Sequence, residues 1–174
     1  MKNKIVITLA AAMLVTASQA KDIHSPDGQF AIRAKATISL VDSRGNEILM
    51  LERDTQGDQK VEVAWAPDSR HVVIVENGIR DSAITAAWKD EVWHKTIEVD
   101  HAPIRNEGGR LIAEHRKLSG WLTPTEVTVD GEMTFSTGAK YHYAYTLVFR
   151  QVPGRLDRGG YEEGQLIGKD YRGL

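Results

Sequence analysis

The chain has no cysteine. That excludes disulfide staples, thiolate zinc sites and thiol nucleophiles. Stability must come from a packed core, and 174 residues are enough to bury one. Proline is scarce, with five in all, and aromatic residues make up only 7%, so the place of each is informative. Neither sign of charge dominates, with 22 Lys and Arg against 24 Asp and Glu. Without a basic stripe, no nucleic-acid partner is expected. Past residue 15 no apolar run is long enough to predict a membrane span.

Catalytic signatures are missing too. There is no G-x-S-x-G elbow, no H-E-x-x-H, no phosphate-binding Gly-Lys-Ser/Thr loop and no EF-hand pattern. The single S-x-x-K, Ser18 to Lys21, straddles an expected cleavage site. Histidines 24, 71, 94, 101, 115 and 142 lack ligand spacing. His94, His101 and His115 with Asp100 or Glu114 would suit zinc only if the fold gathered them. The acidic pairs Asp90-Glu91 and Glu162-Glu163 are read as a solvated turn and tail, since neighbours on a strand point to opposite faces. The sequence therefore assigns no catalytic residue, no metal ligand and no cofactor.

What is present begins at the N-terminus. Lys2 and Lys4 precede an apolar run from Ile5 to Val15, and Ser18 and Ala20 place small residues at a cleavage site. This layout predicts a secretory signal peptide over residues 1–20 and a periplasmic or secreted protein. The leader takes two of the 22 Lys and Arg with it, against 24 Asp and Glu, so the remainder carries about −4.

The rest is punctuated by a turn that occurs twice, Ser25-Pro26-Asp27-Gly28 and Ala66-Pro67-Asp68-Ser69. Proline presets φ, Asp bonds nearby backbone N–H groups, and Gly or Ser closes the turn. Each copy leads into β-forming residues, Phe30-Ala31-Ile32 and Val72 to Val75. Ala36–Val41 and Glu47–Glu52 read as a hairpin about Ser43 to Asn46. Val61, Val63 and Trp65 alternate with Glu62 and Ala64. His71 to Val75 is apolar on both faces, which predicts a strand covered on both sides.

Residues 82–99 read as a hairpin about Lys89-Asp90-Glu91, with a capped amphipathic helix as the alternative. Arg110–His115 is expected to be a short strand. Thr125–Val129 and Glu132–Ser136 are expected to form a hairpin about Asp130-Gly131. Tyr141–Arg150 is a last strand, with Tyr141, Tyr143, Tyr145, Leu147 and Phe149 on one face. From 153 the composition turns glycine-rich and charged. That predicts a frayed tail, or else a strap using Tyr161, Leu166, Ile167 and Tyr171 to cover a sheet edge.

Ser25 to Ala31 and Trp65 to Val72, 41 residues apart, resemble the repeat of TolB-type β-propellers. There a W-S-P-D-G turn leads into a blade strand followed by a D-x-x-G hairpin, and Asp42-Ser43-Arg44-Gly45 stands in the matching place. Trp121-Leu122-Thr123-Pro124-Thr125 is a third, eroded copy without the Asp. The resemblance implies propeller-like architecture and says little about activity. A blade takes about 40 to 45 residues, so three to four blades at most fit.

The expected fold is all-β: antiparallel sheets forming incomplete propeller-like blades or an open sandwich over 21–152, after the leader and before the tail 153–174. Open sheets leave edges that the tail or a second copy, as a homodimer, would cover. The expected function is an exported, non-catalytic module that binds a protein or peptide. The alternatives are a hydrolase assembled only in the fold and a structural envelope-associated protein. Trp88, Trp93 and Tyr141, near strand ends and polar loops, are the candidate binding residues, although core burial is the commoner fate of such rings.

Overall fold

The computed structural model describes residues 14–17, 22–53, 60–97, 109–150 and 166–172. Among them there is no helix, and the strands form three antiparallel sheets, none closed. The first sheet is a meander of β2 (Ile23–His24), β3 (Phe30–Ala34), β4 (Thr37–Asp42) and β5 (Glu47–Arg53). The second runs through β6 (Lys60–Trp65), β7 (His71–Asn77), β8 (Ser82–Lys89) and β9 (Trp93–Ile97), with β1 (Leu14–Ala17) beside β6. The third comprises β10 (Leu111–Thr123), β11 (Glu126–Phe135), β12 (Lys140–Arg150) and β13 (Leu166–Arg172).

The second sheet is the middle layer. Val61, Val63, Trp65, Val72, Ile74 and Ala87 on one face join Ile23, Ile32, Ile38, Leu40 and Leu51 of the first sheet. Ala64, Val73, Val75, Ile84, Ala86 and Trp88 on the other face join Leu118, Val127, Val129, Tyr145, Leu147 and Phe149 of the third. Period-2 alternation sends odd and even residues of β7 into different cores. This is why His71 to Val75 reads as an unbroken apolar run: the strand is covered on both sides, as expected.

The repeated turn sits at the same place in each sheet, between the first and second strands of the meander. Gly28 N–H donates to the Ser25 carbonyl at 2.9 Å, and Ser69 N–H to the Ala66 carbonyl at 3.0 Å. The aspartates cap in parallel: Asp27 accepts from Gln29 N–H at 3.0 Å and Asp68 from Arg70 N–H at 2.9 Å. Pro124 and Thr125 make the equivalent bend between β10 and β11, where the Thr123 hydroxyl takes over the capping of Thr125 N–H at 3.3 Å. The first two turns also touch, because Asp27 N–H donates to Ser69 Oγ at 3.1 Å.

Of the two readings for 82–99, the structure adopts the hairpin over the described part, 82–97, with β8 and β9 paired across residues 90–92. Three expectations are corrected. Asp130-Gly131 is not a turn: β11 passes straight through it, with Asp130 opposite Lys117 and Gly131 opposite Arg116 and Tyr143. Glycine is required there because a Cβ would fall inside the Tyr143 ring. The short strand at Arg110–His115 is instead the 13-residue β10, which bends through irregularities near Ala113, Gly120 and Thr123. The tail is not frayed throughout: Leu166–Arg172 pairs with β12 and covers its edge, as the strap alternative had it. Residues 153–165, with Tyr161, lie outside the described residues.

The expected leader is described only at Leu14–Ala17. In the full chain that stretch is paired with β6 rather than standing apart from the fold.

Candidate functional site

The three sequence candidates do not converge. Trp88 is 5% exposed and packs in the core between the second and third sheets, its ring stacked on His94 at 4.2 Å. Trp93 lies against the opposite core, edge-on to Phe30 at 5.2 Å and Trp65 at 5.9 Å. Tyr141 is on β12, 39% exposed and edge-on to Phe135 at 5.4 Å. Adjacent strand positions face opposite ways, and the middle sheet therefore separates the two tryptophans. The rest of the tyrosine stripe is core, with Tyr145 1% and Leu147 0% exposed.

Histidines and carboxylates are dispersed as well. His71 is buried against Phe149 at 4.8 Å with Asp68 3.2 Å from Nδ1, and His94 Nε2 stands 3.1 Å from Asp90. Each pair belongs to its own turn. No cluster of three metal-ligating side chains occurs among the described residues, and Asp100 and His101 lie outside them. Glu76 is 5% exposed, and Oε1 has no hydrogen-bond partner. Burial foremost, then the neighbouring Glu52 charge, pushes its carboxyl up to about 7, against the pull of Lys95. It sits on the face of β7 that packs toward the first sheet, near Glu52 and Lys95.

What the fold does build at its surface is a groove of about 780 Å³ lined by Ile79, Arg80, Arg110, Leu111, Ile112 and Ser136. Its apolar residues are unusually bare: Ile79 is 85%, Ile112 46% and Leu111 43% exposed. It lies where the β7–β8 turn meets the start of β10. Backbone bonds hold both rims: Glu114 N–H donates to the Arg80 carbonyl at 3.0 Å, and Ser136 N–H to the Arg110 carbonyl at 2.8 Å. Ser136 Oγ in turn accepts Arg110 N–H at 3.1 Å. Neither guanidinium is paired with a carboxylate among the described residues.

Beneath the groove a buried polar cluster pins the two sheets together. The Asn77 side chain donates to the Arg116 carbonyl at 2.7 Å and accepts Arg116 N–H at 2.8 Å. The Arg116 guanidinium, fully enclosed, meets Glu114 at 3.2 Å and the Tyr143 oxygen at 3.2 Å. Tyr143 donates its hydroxyl to Glu114. Burial first, and the Glu114 carboxylate second, push the phenol well above its usual range, so it stays a donor. The Glu114, Arg116 and Tyr143 side chains all belong to the third sheet, and it is the two Asn77 bonds that cross to the second.

Comparison with family models, curated proteins and solved structures finds no match to this chain. Its function is therefore argued from the groove. The sequence carried one sign of it, an isolated Ile79-Arg80 after Asn77-Gly78. Pairing with Arg110 and Leu111 arises only because β10 folds back over the middle sheet.

Proposed function

We propose that this protein is an exported binding module that holds an extended, acidic and partly apolar segment of a partner protein in the groove between Arg80 and Arg110. One observation carries the reading: Arg80 and Arg110, neither paired with a carboxylate among the described residues, line one groove with bare apolar side chains. The chain as a whole is acidic, at −2, so this local cationic site selects against its surroundings for carboxylates. The volume is in the range of ligand sites, and its openness along the surface suits a chain rather than an enclosed small molecule. The leader layout supports export, and the same Pro-Asp turn at the same position in two of the three stacked meanders supports kinship with propeller-type repeats.

The test uses a fluorescein-labelled peptide alternating Asp or Glu with Leu or Ile, read by anisotropy. The expected result is salt-sensitive binding, weakened about tenfold or more by the double substitution Arg80→Glu and Arg110→Glu. A peptide with Lys in place of its acidic residues should not bind. Equal binding of both peptides, or no effect of the arginine substitutions, would overturn the proposal.

A further inference from the structure

Among the described residues, β6 is the one first strand of a meander whose outer edge is taken by a segment of the expected leader. Val61, Val63 and Trp65 face the first sheet while Ala64 faces the third, and all residues from Val61 to Trp65 are 6% exposed or less. One edge of β6 pairs with β7 from Lys60 to Trp65. The other pairs antiparallel with β1: Leu14 opposite Ala64, Val15 opposite Val63, Thr16 opposite Glu62 and Ala17 opposite Val61. All four β1 residues precede the cleavage site expected after Ala20, so export would remove them and leave a row of backbone donors and acceptors unpaired.

The edge would remain formed without β1. Trp65 Nε1–H donates to the Ile23 carbonyl at 3.0 Å, and the Glu62 carboxylate accepts Leu118 N–H at 3.2 Å. These bonds tie β6 to the first and third sheets independently of β1. The charges on the strand are also matched internally, with Lys60 Nζ 3.0 Å from Glu62. What the edge offers an incoming chain is therefore backbone hydrogen bonding, without a charge to satisfy.

We propose that in the processed protein this edge is a strand acceptor, taking an uncharged extended segment of a partner protein antiparallel to β6 where Leu14–Ala17 lies. Strand addition of this sort draws its affinity from main-chain bonds. The inference rests on the export reading but not on the arginine groove.

The test takes the protein recovered after export, with intact mass fixing its first residue, beside the unprocessed chain. Hydrogen exchange is followed at the amides of Val61 to Ala64 that do not bond β7. They should exchange about tenfold faster or more in the processed chain. A synthetic peptide of residues 11–20 should restore protection, and the same peptide with Val15→Pro and Thr16→Pro should not. Failure of the unsubstituted peptide to restore protection overturns the inference. So does protection in the processed chain alone, with a doubled mass identifying a second copy as the occupant and a single mass identifying the chain itself. An exported chain that retains residues 1–20 overturns it together with the leader, whereas loss of peptide binding in the arginine variant is decided separately.

Discussion

Glu76 shows how one buried side chain makes stability depend on pH. Its carboxyl is raised from 4.5 to about 7, first by burial and then by Glu52. Below pH 4.5 it is protonated in both folded and unfolded chains and contributes nothing. Between 4.5 and 7 the unfolded chain releases the proton while the folded one keeps it, so stability falls as pH rises. Above 7 the loss levels off at up to about 3 kcal/mol. Glu76→Gln, neutral at every pH, is expected to be more stable than the parent by roughly 2 to 3 kcal/mol at pH 8 and nearly equal to it at pH 4. Urea denaturation at the two values checks this, and an unchanged difference across pH would contradict it. Nothing in the sequence marks this role, because Glu76 follows the apolar run His71 to Val75 and reads as a charge near the strand's end until the first sheet covers it. Gly131 is the converse case: after Asp it looks like a turn residue, and only the ring of Tyr143, directly opposite on the neighbouring strand, explains it.

At the scale of elements, the repeated turn was legible because its chemistry is local. Proline, the Asp cap and a residue able to take positive φ act within a few positions. Gly28 at φ 70° and Ser69 at φ 59° occupy the same left-handed position. Serine is strained there, yet its hydroxyl accepts Asp27 N–H and joins the turns of neighbouring sheets. Ser69→Ala keeps the strain and loses the bond, and is expected to cost about 1 kcal/mol. Ser69→Gly loses the bond but relieves the strain, so it should fall between the parent and Ser69→Ala. The order of their denaturation midpoints decides it, and equal midpoints for all three would show that the inter-turn bond contributes nothing. The hairpin over 82–99 was harder to read, since Ile84, Ala87, Trp88 and Val92 also fit a helical face. Pairing with β7 settles it, because strand β8 buries both faces against sheets that a helix could not join.

For the whole molecule, the middle sheet makes the two cores interdependent, since alternate residues of β6, β7 and β8 feed both. Ile74→Ala, made in the core toward the first sheet, is expected to cost about 2 to 5 kcal/mol. It should lower a single transition in which far-UV circular dichroism and tryptophan fluorescence coincide. Two separated transitions would show the outer sheets to be independent. The sequence by itself determined the all-β class, the first hairpin and the paired turns, because alternation and turn chemistry are properties of neighbouring residues. Tertiary structure alone decided which core each tryptophan enters, why Gly131 stays in a strand, and that Arg80 and Arg110 flank one groove. Those outcomes depend on register between strands far apart in the chain, and no local pattern encodes where a distant strand will lie.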